Sequence, residues 1–195
     1  MYIFGYGSLM NSASRKLTGQ TGETIPAVVT GLVRYWGKID DSYILSPLVV
    51  NLGEGQVNGV LLKIDAQALA DFDHRERGYH RVQLAPSQIN VSDISPLQAS
   101  HDKTSLLQSD DVIWVYVKDE PEPPCSLSPI MQTYIDTVLA GCLEISESFA
   151  QHFIEHTVGW HFPVENDRES PKYGNLAGVN AHHQKTIDTL LSGVI

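Results

Sequence analysis

Two stretches of this sequence hold residues whose types and spacing suit chemistry. One is Asp71-Phe72-Asp73-His74-Arg75-Glu76-Arg77-Gly78-Tyr79-His80-Arg81, where acids and arginines crowd together. Most such clusters are solvated faces. Glu76 stands apart because Leu69, Phe72 and Glu76 fall on one helical stripe, at spacings of three and four. A carboxylate on the core-facing side of a helix is partly desolvated, the condition for it to carry a proton during a reaction. The other stretch is Phe4-Gly5-Tyr6-Gly7-Ser8-Leu9-Met10-Asn11, in which an apolar run enters two glycines and a hydroxyl. Glycine lets a ligand approach the main chain, and the N–H groups of such a turn suit an anion or a developing oxyanion. An ordinary glycine turn closing a first strand would use the same letters.

Sharper readings of these letters fail. A dinucleotide fingerprint needs a third glycine where Met10 stands. A nucleophile elbow needs glycines where Tyr6 and Met10 flank Ser8, and no Gly-Lys-Ser/Thr phosphate loop occurs. His152-Phe153-Ile154-Glu155-His156 matches the H-x-x-E-H zinc pattern, but it is short and has no identifiable third ligand, so solvent-facing helix side chains are the expected reading. Cys125 and Cys142 are the only cysteines, too sparse for a disulfide framework, and are expected to be reduced structural thiols.

The elements that must position these groups follow from periodicity. Tyr2 to Phe4 reads as a first strand, and Ser8 is expected to cap a helix from about Leu9 to Leu17. Ile25 to Trp36 reads as a strand bent at Gly31. Tyr43 to Leu52 and Gln56 to Ile64 read as two strands of a hairpin turning at Gly53-Glu54-Gly55. Asp65 is placed to cap a helix over Ala66 to Arg77, which Gly78 stops. Tyr79 to Val91 and Val112 to Lys118 are further strands, with a polar excursion from Ser92 to Asp111 between them. Beyond the stiff Glu120-Pro121-Glu122-Pro123-Pro124 connector, helices are expected over Ile130 to Leu143, Ser146 or Glu147 to His156, and Ala181 to Leu191.

Together the motifs resemble the gamma-glutamyl cyclotransferase superfamily: Tyr6-Gly7-Ser8-Leu9 after an N-terminal strand, then Asp73-His74-Arg75-Glu76 and Gly78-Tyr79. Tyr134-Ile135-Asp136 with Gly141 is similar to the helix that carries a substrate-contacting tyrosine in many members. The resemblance implies an α+β fold, a small mixed β-barrel of six or seven strands with flanking helices, and no metal or organic cofactor. It implies Glu76 as the catalytic residue, with Tyr6, Gly7, Ser8, Leu9 and Tyr134 binding substrate. The implied reaction is attack of a gamma-glutamyl α-amino group on its own side-chain carbonyl, giving 5-oxoproline and a free amine. Glutathione, a gamma-glutamyl amino acid and a gamma-glutamyl amine all remain open as substrates. A second reading keeps the same barrel as a non-catalytic binding module.

The composition is that of a soluble globular protein rather than a disordered one. The chain has 195 residues, 42% apolar and 18% charged, expected to form one domain with residues 159–195 as a C-terminal extension. A formal charge of −10 opposes nucleic acid as a partner. No apolar run approaches a membrane span and no secretory signal is evident, so a cytoplasmic location is the default expectation.

Overall fold

The computed structural model describes residues 1–19, 22–40, 42–91, 107–108 and 110–195. Most of the polar excursion read between Ser92 and Asp111 lies outside the described residues. The α+β class holds, with one correction: the sheet is a curled half-barrel, not a closed barrel. Its path runs β4 (His80–Leu84), β6 (Ile113–Val117), β1 (Tyr2–Gly5), β3 (Leu48–Lys63), β2 (Thr24–Trp36) and β5 (Ile89–Asn90), and β8 (Thr157–Val158) also pairs with β2. The terminal strands β4 and β5 do not pair with each other. Helix α3 (Gln132–Leu143) lies within the main core, buried from Gln132 to Cys142. A helix buried on every side must be enclosed, and the sheet curls around this one, whose buried polar side chains, such as Thr133 and Asp136, are hydrogen-bonded.

β1 lies inside the sheet, parallel to β6 and antiparallel to β3. Its side chains alternate between two cores, with Phe4 in the main one and Ile3 in a smaller one. That smaller core also contains Phe72 from α2 (Ala66–Arg75), Leu62 and Tyr116. Burying the Phe72 ring contributes about 2 kcal/mol and fixes α2 against the sheet. The Asp65 side chain caps α2 by accepting from the Ala68 N–H at 2.8 Å, as its position suggests, and Gly78 leaves the helix at φ +85°.

Three local expectations are corrected. Gly53-Glu54-Gly55 is not a hairpin turn but lies within the continuous strand β3. Between the pairs Thr30↔Gln56 and Leu32↔Leu52, those residues face the single Gly31, whose φ is +86°. The glycines therefore serve a bulge, and a Cβ on Gly55 would sit 2.6 Å from the Leu32 carbonyl oxygen. Second, Tyr79 to Val91 is not one strand. Pro86 starts a single 3₁₀ turn, Pro86–Gln88, that separates β4 from β5. Third, Ser8 does not cap the first helix. Ser8–Met10 is a 3₁₀ turn, and Asn11 caps α1 (Ser12–Leu17) by accepting from the Ser14 N–H at 2.9 Å.

In the C-terminal part, β7 (Ile130–Met131) pairs with β9 (Val164–Glu165), so α3 starts at Gln132, slightly later than its apolar pattern suggests. Helices α4 (Glu147–Glu155) and α5 (Ala181–Leu191) occupy the expected segments. No helix among the described residues is long and apolar enough to cross a membrane.

Candidate functional site

Gly5 ends an interior strand, and beyond it the chain leaves the sheet and packs against α3. There Tyr6, Gly7, Ser8 and Leu9 line a cavity of about 370 Å³ with Glu76, Tyr134, Tyr43, Tyr79 and Tyr173. The sequence-assigned residues therefore share one cavity, although Glu76 lies far from the loop in the chain. Glu76 is the C-cap of α2; its N–H donates to the Phe72 carbonyl at 2.8 Å. The Phe72 anchor thus sets where the carboxylate stands. Its side chain is 26% exposed, neither sealed nor in open solvent. Arg75 Nε and Nη2 both lie 3.0 Å from Glu76 Oε1, and the guanidinium rests over the Phe72 ring. Both of these contacts fall on Oε1, and Oε2 has no hydrogen bond among the described residues.

Tyr134 reaches the loop from α3. A Cβ on Gly7 would come within 3.0 Å of the Tyr134 hydroxyl, so glycine is what lets helix and loop meet. The Leu48 N–H approaches this hydroxyl at 3.5 Å. Gly141 brings the same helix against the loop's far end, where an added Cβ would lie 2.4 Å from the Asn11 nitrogen. The Tyr6 hydroxyl donates to the Tyr116 carbonyl at 2.8 Å, which holds its ring as a wall. Burial raises the pKa of Tyr6, Tyr43, Tyr79 and Tyr134, and the nearby Glu76 carboxylate raises each further. These hydroxyls stay protonated near neutral pH; the Tyr6 O–H is committed to the Tyr116 carbonyl and the Tyr79 O–H to the Leu48 carbonyl at 3.4 Å, which leaves Tyr43 and Tyr134 as neutral donors.

The sequence reading missed Arg34. It is fully buried, and burial pulls its pKa down to about 9. Its guanidinium donates to Thr157 Oγ1 (2.8 Å), the Asn58 carbonyl (2.8 Å), Asn58 Oδ1 (2.8 Å), the Phe153 carbonyl (3.2 Å) and the Tyr6 carbonyl (3.3 Å). Five bonds match the five donors of the group, and the last ties the loop to the core. The signal was present: Leu32, Arg34 and Trp36 alternate in phase, so Arg34 must point inward with its apolar neighbours. The tail residues Tyr173, Gly174 and Asn175, given no role from sequence, also line the cavity.

Outside the cavity, the imidazoles of His152 and His156 stack at 3.9 Å, and no group of three or more metal-ligating side chains occurs among the described residues. Cys125 and Cys142 are free; burial pushes the Cys142 thiol up to about 12, leaving it inert.

An interior strand delivering a glycine loop beneath a helix-end carboxylate, on a curled sheet around one buried helix, is the architecture of the cyclotransferase fold. The family model described as gamma-glutamyl cyclotransferase, AIG2-like, matches residues 3–132, and the chain belongs to that family. Among solved structures it is similar to a gamma-glutamyl cyclotransferase, with TM-score 0.58 and 13% identity over 96% of this chain and 98% of that one. YkqA from Bacillus subtilis gives TM-score 0.57 and 20% identity, over 85% of this chain and 56% of that one. An uncharacterized protein from Homo sapiens gives TM-score 0.55 and 13% identity, over 96% and 97%. Comparison with curated protein sequences yields no match.

Proposed function

We propose that the protein converts a gamma-glutamyl compound to 5-oxoproline and a free amine, with Glu76 as general base and then general acid. The observation that carries this reading is the Glu76 carboxylate lining the same cavity as the Gly7–Ser8 main chain. A gamma-glutamyl α-ammonium group loses a proton to Glu76, and the freed nitrogen attacks the side-chain carbonyl carbon, closing a five-membered lactam. The bond from that carbon to the departing nitrogen breaks as Glu76 returns the proton to it, and the second proton shed by the ring nitrogen passes to the released amine, which leaves as an ammonium ion. Both reacting groups belong to one molecule, so the cavity's task is to hold the folded conformer, and such intramolecular reactions reach effective molarities of ~10⁵ to 10⁸ M.

Tyr6, Gly7, Ser8, Leu9 and Tyr134 are assigned to substrate binding. The loop main chain and the protonated Tyr134 hydroxyl supply donors for the α-carboxylate or the developing oxyanion, while the Tyr6 ring forms the wall. Arg75 on Oε1 orients the carboxylate, and Oε2 is assigned to the ligand. The test is incubation with a panel spanning glutathione, gamma-glutamyl amino acids and gamma-glutamyl amines, with 5-oxoproline read by mass spectrometry. Release from at least one member is expected. Binding without product from any of them would instead support a non-catalytic module on the same fold.

A further inference from the structure

The segment between β9 and α5 crosses the cavity as a strap fastened at both ends. At one end Asp167 accepts from the Thr133 N–H at 2.8 Å and the Thr133 hydroxyl at 2.6 Å, binding the strap to the first turn of α3. Arg168 adds Nε to Asp136 Oδ2 at 2.7 Å and Nη2 to Asp136 Oδ1 at 2.8 Å, and also reaches Asp188 on α5. At the other end the Ala177 carbonyl accepts from Asn11 Nδ2 at 3.1 Å, just past the glycine loop. Only Tyr173, Gly174 and Asn175 of the strap line the cavity. The strap lies outside residues 3–132, which the family model matches.

Within the cavity, Tyr173 stands one ring beyond Tyr134. Rings run from Trp160 to Trp36 (5.2 Å), from Trp36 to Tyr134 (5.7 Å) and from Tyr134 to Tyr173 (4.7 Å). Tyr134 touches the loop, whereas Tyr173 meets whatever part of a ligand extends past it. We propose that Tyr173 is a specificity-determining residue that contacts the departing-amine portion of the substrate; this rests on the cyclotransferase reading above. The two fastenings hold the ring in place before a ligand arrives, so the contact costs little ordering on binding.

The experiment compares two probes that share the gamma-glutamyl half, gamma-glutamyl methylamide and gamma-glutamyl benzylamide, on the wild type and on Tyr173→Ala and Tyr173→Phe. Selectivity is the ratio of kcat/KM for the two probes where 5-oxoproline forms, and the ratio of Kd where it does not. Tyr173→Ala is expected to lower the benzylamide-to-methylamide ratio about tenfold, the scale of one lost aromatic contact, while Tyr173→Phe keeps it. If Tyr173→Ala does not fold, Tyr173→Leu reads the same ratio. An unchanged ratio, equal losses for both probes, or a wild type that binds neither probe would overturn the proposal. Binding of both probes without 5-oxoproline would sink the cyclotransferase reading alone, and the Kd ratio would still decide the role of Tyr173.

Discussion

Arg34 shows how a residue directly behind the cavity wall governs its shape. The guanidinium satisfies four backbone and side-chain groups around Tyr6, Asn58 and Phe153, with Thr157 as the fifth partner. Arg34→Met would leave buried acceptors unpaired at ~1 to 3 kcal/mol each, so a loss of about 3 kcal/mol is expected in urea denaturation. A raised KM should accompany it, because the Tyr6 carbonyl loses its anchor. His152 supplies a pH dependence. Burial, with the stacked His156 and the charge of Arg34 adding to it, lowers its pKa from 6.5 to about 4. A base whose folded pKa lies below its unfolded value binds fewer protons when folded. Stability therefore carries no penalty from it above pH 6.5, and is lost as pH falls from 6.5 toward about 4. His152→Asn should flatten the melting temperature against pH across that window.

At the scale of elements, the loop is held by backbone-to-backbone approach rather than by side chains. Gly141→Ala would push a methyl into the Asn11 and Met10 main chain, within 2.6 Å of Asn11 Cα. A cost of about 2 kcal/mol is expected, with a fall in kcat/KM as α3 and Tyr134 withdraw from Gly7, read by thermal melts and steady-state kinetics. The same scale shows what could be read from the letters. The cap at Asp65 and the bend at Gly31 depend on local chemistry and were legible, and the helices starting near Glu147 and Ala181 followed from periodicity, although their caps Ser146 and Asn180 were not read as such. Gly53-Glu54-Gly55 misled because a glycine pair suits a turn and a bulge equally, and only the partner strand distinguishes them. Ser8 misled for a related reason, since Asn11, one turn later, is an equally good cap. Glu76 and the loop were legible as motifs. Tyr43 and Tyr173 were not, because a cavity wall made by distant segments leaves no period in the sequence.

The whole molecule joins three distant regions around one cavity: the loop after β1, the end of α2, and the strap before α5. The strap depends on Arg168, 20% exposed, paired with Asp136, 1% exposed. Removing one member of a buried pair strands the other, so Arg168→Ala is expected to cost ~3 kcal/mol, measured by urea denaturation, and to loosen the Tyr173 wall. The charge of −10 gives the molecule no field that would attract polyanions, and a gel-shift titration with duplex DNA at physiological salt should show no complex. That Glu76 and the glycine loop act on one ligand is the property that needs the whole fold, and the most direct measurement of it is Glu76→Gln, read for ligand affinity and 5-oxoproline release together. Product formation should fall by at least ~100-fold, with the Kd within a few-fold of wild type and the circular dichroism spectrum unchanged. Turnover at the wild-type rate in that variant would contradict the assignment of Glu76 as the proton carrier.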